Sequence, residues 1–391
     1  MTATRSTRRT RSLDRRRQLI DAATLLFAER GYPHVSVADI ARKAGVSAPT
    51  VYRHFADKQT LLFDAVQTRV DELEASTDRA QLESSEHPTE ALAVSVTEMC
   101  IANPHATSLW RWSGQHLSAD ENAEVVRRTR TALRRWAAAI RADRPELTER
   151  ESMYLAGAVL SVVGSGAGRA VRGNVGDVEA IVLELVRRTA ALHPADALPP
   201  HEILGLHDDA PTRRDEILDA AARLFGEHGF AGAGMDEIGA AVGITGPSVY
   251  KHFPSKIAIL VAISQRSAMR LEAGVMAAYA VSGDPAARLT ALVDHYVDAV
   301  TSTPDLLVGF TSAYVLAGDP QAAELLAVQR RYVARWVHLL VEIDARSTES
   351  ATLAVHAALA IVNDAVRLPR STPRPEFAAR MAYLMKGVMG V

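Results

Sequence analysis

The chain has 391 residues, of which 48% are hydrophobic and 23% charged, with a formal net charge of −2. That is a globular composition of two to four domains, and sparse aromatics (5%) with abundant Ala, Leu, Arg and Glu point to helix. One cysteine, Cys100, excludes an internal disulfide, suits a reducing cytoplasm and reads as a buried filler. Residues 1–20 carry seven Arg against Asp14 alone, a local +6 that leaves about −8 on the rest. A basic arm on an acidic body suits a local anionic partner. The arm has no apolar stretch and so is no secretory signal, and no apolar run is long enough to span a membrane.

The elements follow in chain order. Leu19, Ala22, Ala23, Leu26 and Phe27 fall at helical spacing and stop at Gly31. A short helix follows from Ser36 to Ala44, and Gly45 makes a tight turn. Ser47 is placed to cap a third helix with Pro49 in its first turn, and Asp57 a fourth that runs to about Thr77. Further helices are expected near 89–102, 106–117, 120–141, 148–170 and 177–191. Residues 193–210, rich in Pro, His and Asp, read as a linker; its His and Asp residues lack metal-ligand spacing. The second half is expected to be helical near 213–228, 235–242, 246–253, 255–280, 286–301, 304–316, 320–343, 348–367 and 374–389.

Arg15 to Leu62 reappear without a gap at Arg213 to Leu260, an offset of 198. Helix, glycine turn, helix is the helix-turn-helix arrangement, whose second helix lies in the major groove with its first residues at the base edges. Gly45 and Gly243 supply the turn. Ile40, Ala44, Val46, Val51 and Phe55 lock the helices, as do Ile238, Val242, Ile244, Val249 and Phe253. Ser47 and Thr245 open the third helices. Ala48, Pro49 and Thr50, and Gly246, Pro247 and Ser248, are small enough for close approach to bases. Tyr52, His54 and Lys58, with Tyr250, His252 and Lys256, have the chemistry of phosphate binders. Arg53 and Lys251 suit backbone or base. Ser36 suits a cap and a phosphate; Gly234, its counterpart, has no side chain. Arg42 and Lys43 become Ala240 and Ala241, so the first copy is expected to bind DNA more strongly.

The string Val-Ser-Ala-Pro-Thr-Val-Tyr-Arg-His-Phe-Ala-Asp-Lys, with Phe27-Ala-Glu-Arg-Gly upstream, resembles the DNA-binding domain of the TetR/AcrR family of repressors. The second copy, Phe225-Gly-Glu-His-Gly to Lys256, resembles it equally. The resemblance implies an all-α protein of two tandem TetR-like modules, each a helix-turn-helix followed by a helical ligand-binding and dimerising domain. The layout, with Leu109-Trp-Arg-Trp-Ser-Gly-Gln-His-Leu117, is similar to tandem regulators of actinobacterial lipid-import (mammalian-cell-entry) operons. The expected boundaries are 1–12 a basic disordered arm, 13–66 the first head, 67–192 the first body, 193–210 the linker, 211–264 the second head and 265–391 the second body.

In the bodies, Met99, Trp110, Trp112, His116 and Tyr154, and Phe310, Tyr314, Tyr332, Trp336 and His356, fit an ordinary core residue by residue. As groups they suit the apolar pocket a sensor needs. Gly164-Ser165-Gly166-Ala167-Gly168 lacks the strand that a phosphate loop must follow. With Gly157 and Ser161, it is a small-residue face for helix packing, which Ala354, Ala357, Ala358 and Ile361 are suited to meet. No nucleophile–base pair, metal set or cofactor motif is visible, so no enzyme and no cofactor are expected. The reading is a cytoplasmic repressor whose partners are double-stranded operator DNA and a small apolar or amphipathic effector, with no membrane. Either a monomeric pseudo-dimer or a homodimer fits. The alternative is a single-headed regulator or ligand-binding scaffold whose second helix-turn-helix no longer contacts DNA.

Overall fold

Apolar residues at helical spacing give helices throughout. The computed structural model describes residues 2–83, 86–112, 114–170, 175–198, 212–316, 320–367 and 376–391, and every regular element among them is helical. In chain order α1 covers Thr2–Arg30, α2 Val37–Lys43, α3 Ala48–Tyr52, α4 Lys58–Glu83, α5 Pro88–Ala102, α6 Pro104–Trp112, α7 Ala119–Asp143, α8 Glu149–Ala170 and α9 Val175–Ala190. The second series is α10 Arg213–Gly232, α11 Met235–Ala241, α12 Gly246–Val249, α13 Lys256–Val281, α14 Pro285–Ser302, α15 Asp305–Thr311, α16 Pro320–Asp344, α17 Thr348–Arg367 and α18 Phe377–Met389. None among the described residues is long and apolar enough to cross a membrane. The order matches the reading from sequence, and each departure has a local cause.

The arm at 1–12 does not form a separate segment: α1 continues through it. Residues 2–12 contain neither Gly nor Pro, and Arg is a good helix former, so nothing in the sequence stops the helix there. The side chains of 1–13 lie outside the described residues. α4 runs past Thr77 to Glu83, whereas α13 ends at Val281, within one residue of the expected end. The stretches near 106–117 and 304–316 each break into an α-helix and a single 3-10 turn, Gly114–His116 and Ala313–Leu316. α12 is shorter than the expected 246–253. Its last carbonyls are taken by turn bonds, with the His252 and Phe253 amides both donating to Val249 at 2.9 and 3.0 Å. Most of the expected linker, 199–210, lies outside the described residues.

The chain divides into two compact units, Met1–Ala156 with Val163–Leu183, and Gly157–Val162 with Glu184–Val391. In the first unit, Leu19, Ala23, Leu26 and Phe27 of α1 pack with Ile40, Val51, Phe55, Leu61 and Leu62. Leu109 of α6 and Val125 of α7 close the same core, so head and body share it. In the second unit, Ile217, Ala221, Phe225, Ile238, Val249, Phe253 and Leu260 repeat the arrangement, closed by Val308 and Leu316. Each fully buried Leu, Ile or Phe contributes about 1.5–3 kcal/mol relative to exposure. The end of α9 belongs to the second unit. There the His193 amide donates to the Tyr383 hydroxyl at 3.2 Å. A side chain on Gly387 would collide with Leu192.

Candidate nucleic-acid interface

Two glycines fix the corner between the paired helices of each head. Gly45 and Gly243 adopt φ of 63° and 70°, a region other residues enter at a cost. The Gly45 amide donates to Arg42 and the Val46 amide to Ala41, at 3.2 and 2.9 Å. Gly243 and Ile244 do the same with Ala240 and Gly239, at 3.2 and 2.9 Å. Both are Schellman closures with the apolar residue, Val46 or Ile244, placed just after the glycine. Ser36 caps α2 as expected. Its Oγ accepts from the Asp39 amide at 3.1 Å, and the Asp39 carboxylate accepts from the Ser36 amide at 3.0 Å. The Ser36 hydroxyl and amide hold Asp39 down at about 2. Asp57 caps α4 through the Thr60 amide at 2.7 Å.

The polar side chains of α3 are organised by each other rather than by the backbone. Ser47 makes no side-chain cap; its hydroxyl meets the Thr50 hydroxyl at 3.0 Å, and Arg53 donates to that same Thr50 oxygen at 3.0 Å. Pro49 has no N–H to offer, and the serine hydroxyl turns instead to the next turn of the helix. In the second head Thr245 and Ser248 make the same pair at 3.0 Å with the two residue types exchanged. Tyr52 and Tyr250 stand out at the helix ends, 57% and 53% exposed. Ser47, Pro49, Arg53, Pro247, Lys251 and His252 are exposed as well, whereas Ala48, Thr50, His54 and Ser248 are half-buried and Gly246 is buried.

Two of the expected phosphate binders are occupied elsewhere. The Lys58 ammonium donates to the Tyr32 and Val35 carbonyls, both at 3.0 Å, and lies 4.2 Å from the centre of the Tyr32 ring. Lys256 donates to Ala233 and Ala231 at 2.8 and 3.4 Å and lies 4.6 Å from the Phe230 ring centre. Burial lowers the pKa of both. These lysines tie the chain before α2 and α11 to the start of α4 and α13. The sequence gives the residue type but not the side-chain direction. Replacing Lys58 with Ala is expected to lower stability by about 2 kcal/mol through two lost charged hydrogen bonds. The salt dependence of DNA binding should stay unchanged, whereas a phosphate contact would lower its slope by about 0.9.

A second pair escaped the sequence reading. Arg16 pairs with Asp64 and lies 5.1 Å from the Phe55 ring centre. Arg214, at the matching place, lies 4.0 Å from the Phe253 ring centre and donates to the His252 carbonyl at 3.0 Å. Arg213 donates to the Val242 carbonyl at 3.0 Å. These arginines brace the heads from the surface, and only the spacing of Arg16 and Arg214 from Phe55 and Phe253 signals it.

In the first unit Trp110 packs on the head's core and His116 stacks on Tyr32, ring centres 4.9 Å apart. Met99 lies at the buried Arg69, whose guanidinium reaches the Met99 carbonyl at 3.5 Å, Cys100 Sγ at 3.3 Å and Thr107 Oγ1 at 2.6 Å. Cys100 is buried, as expected, and Tyr154 is half-buried. In the second unit Tyr332 and Trp336 do come together, with Tyr296 added from α14, ring centres 5.8–6.2 Å apart. Tyr296 donates to Asn363 at 3.1 Å. Trp136 Nε1 donates to Thr77 at 2.9 Å. His356 is half-buried; the side chains of Trp112, Phe310 and Tyr314 lie outside the described residues.

Burial and the nearby Lys58 ammonium push His116 down to about 4. Free histidine titrates near 6.5, so the unfolded chain takes up this proton first as pH falls. The stability from neutral His116 is therefore fully present above about 6.5 and is lost as pH falls toward 4. Urea midpoints measured from pH 7 to 4.5 should fall more steeply for the native chain than for His116→Gln.

The family model for bacterial regulatory proteins of the tetR family matches residues 19–65 and again 217–263. The chain is similar to the HTH-type transcriptional regulator HbdR of Aromatoleum sp. (strain CIB), 37% identical over 115 residues, 29% of this chain and 50% of HbdR. It is similar to the HTH-type transcriptional activator FasR of Mycolicibacterium smegmatis, 34% identical over 117 residues, 30% of this chain and 52% of FasR. The HTH-type transcriptional repressor KstR2 of Rhodococcus jostii is 30% identical over 122 residues, 31% of this chain and 60% of KstR2. The chain thus spans about half the length of the curated relatives it matches.

Proposed function

The chain belongs to the tetR family as a tandem of two modules, and on that premise we propose that it is a ligand-responsive repressor that holds operator DNA with both heads of one molecule. One observation carries this reading: the Ser47–Thr50 pair and the Thr245–Ser248 pair present the same polar surface at the start of both recognition helices. Two such helices in one chain take the place of the two subunits of a dimer, with half-sites about 34 Å apart or a multiple of it. The heads differ at Ala48, Thr50 and Arg53 against Gly246, Ser248 and Lys251, so the operator is an asymmetric, imperfect palindrome.

The effector is an apolar or amphipathic small molecule. The buried Tyr296, Tyr332 and Trp336 rings suit an apolar body. Its binding favours a conformation with the heads wrongly spaced and so lowers DNA affinity. The work is done in the cytoplasm.

The test is a titration of the whole protein on the DNA upstream of its own reading frame, across salt concentrations, with footprinting at saturation. Two unlike protected half-sites and a steep salt slope support the reading. A single protected half-site with a shallow slope points to a one-headed regulator, and protection of no sequence rejects both.

A further inference from the structure

Two positions change together between the heads. The first head has Ala38 in α2 and Ala48 at the start of α3; the offset of 198 puts Asp236 and Gly246 in their places. The Asp236 carboxylate lies directly against Gly246. A Cβ added to that glycine would fall on the carboxylate and within 3.2 Å of the Asp236 Cα. The φ of Gly246 is not positive, so its requirement for glycine is steric. An Ala at 246 would therefore turn the Asp236 carboxylate out of this position. The neighbouring Gly239 is under the same kind of pressure, its added Cβ falling 2.9 Å from the Ile244 carbonyl oxygen.

This arrangement puts a carboxylate beside the first residue of the second recognition helix, the end that meets base edges. Asp236 is exposed, and among the described residues no ion pair or side-chain hydrogen bond holds it. The cations that stand nearby in the first head's sequence, Arg42 and Lys43, are Ala240 and Ala241 here. An unneutralised carboxylate on a surface that approaches phosphates weakens binding to any sequence, unless a donor on the DNA meets it. In the major groove an aspartate finds that donor in the N4 amino group of cytosine.

We infer that Asp236 is a specificity-determining residue of the second head, accepting a hydrogen bond from the N4 amino group of a cytosine in the second half-site. The inference rests on the reading that the second head meets DNA. It separates the two heads by chemistry, since the first head has only methyl groups at both positions.

The test is selection of bound duplexes from a randomised library by the full chain and by three variants: Asp236→Ala, Asp236→Asn, and Ala38→Asp combined with Ala48→Gly. The native chain should select cytosine at one position of one half-site. Asp236→Ala should lose that preference, about tenfold in discrimination, with the other half-site unchanged and with the same melting temperature. Asp236→Asn should move the preference toward adenine. The Ala38→Asp, Ala48→Gly variant should bring the cytosine preference to the first half-site. An unchanged motif for Asp236→Ala overturns the inference. So does a uniform gain in affinity across all sequences, which would make the carboxylate a phosphate repeller only. A native motif of one half-site, or none, fails earlier and removes the two-headed reading itself.

Discussion

Replacing Arg266 with Ala is expected to destabilise the second module by about 3–5 kcal/mol, the cost of leaving a buried charge without its partner. Asp305 is fully buried and receives Nε and Nη2 of Arg266 at 2.7 and 2.8 Å, a two-pronged grip. Arg270 pairs with the same carboxylate more loosely, at 3.7 Å. The same guanidinium reaches Asp219 of α10 at 2.7 Å. One side chain on α13 therefore ties the first helix of the second head to the start of α15 in its body. Hydrogen exchange under increasing urea resolves this by element: α10, α13 and α15 should lose protection together, while α1, α4 and α6 keep theirs. Arg266→Lys should recover only part of the loss, because an ammonium lacks the planar fork. A loss below about 1 kcal/mol in Arg266→Ala would mean that water or Arg270 satisfies Asp305, and that head and body are joined by apolar packing alone.

How far the sequence leads can be seen from such pairs. The helices, their order and the two glycine corners are legible because they depend on local spacing. Leu19 to Phe27 repeat at helical intervals, and Gly45 and Gly243 stand where only a positive φ closes the turn. The fold follows from the repeat in the same way. Partners far apart in sequence are not legible. Arg266 and Asp305 are 39 residues apart, and nothing local says that they meet. Lys58 and Lys256 have the right chemistry for phosphate, but they turn toward carbonyls of the chain before α2 and α11. Ser47 stands where a cap is needed, yet bonds across to Thr50. Trp110 and His116 have the composition of a pocket, yet serve the joint with the first head, because α6 and the turn after it pack there. The pairing of Asp236 with Gly246 becomes visible only when backbone geometry is set beside the repeat.

Disabling one head should lower operator affinity by about 10²- to 10⁴-fold, because the second contact of a linked pair is made at high effective concentration. The direct test removes the exposed side chains at the end of each recognition helix: Tyr52→Ala with Arg53→Ala in one variant, Tyr250→Ala with Lys251→Ala in another. These residues are exposed and are not part of either core, so the fold should survive. Each lost phosphate contact also lowers the salt slope by about 0.9. If both heads work, each variant loses affinity, and its footprint shrinks to the opposite half-site. The first head's variant should lose more, since Arg42 and Lys43 strengthen that head where Ala240 and Ala241 leave the second weaker. If only the first head works, the Tyr250, Lys251 variant binds like the native chain and the footprint never covers two half-sites. The two outcomes differ by at least a hundredfold in a single titration, and the sign of the difference says which head carries the operator.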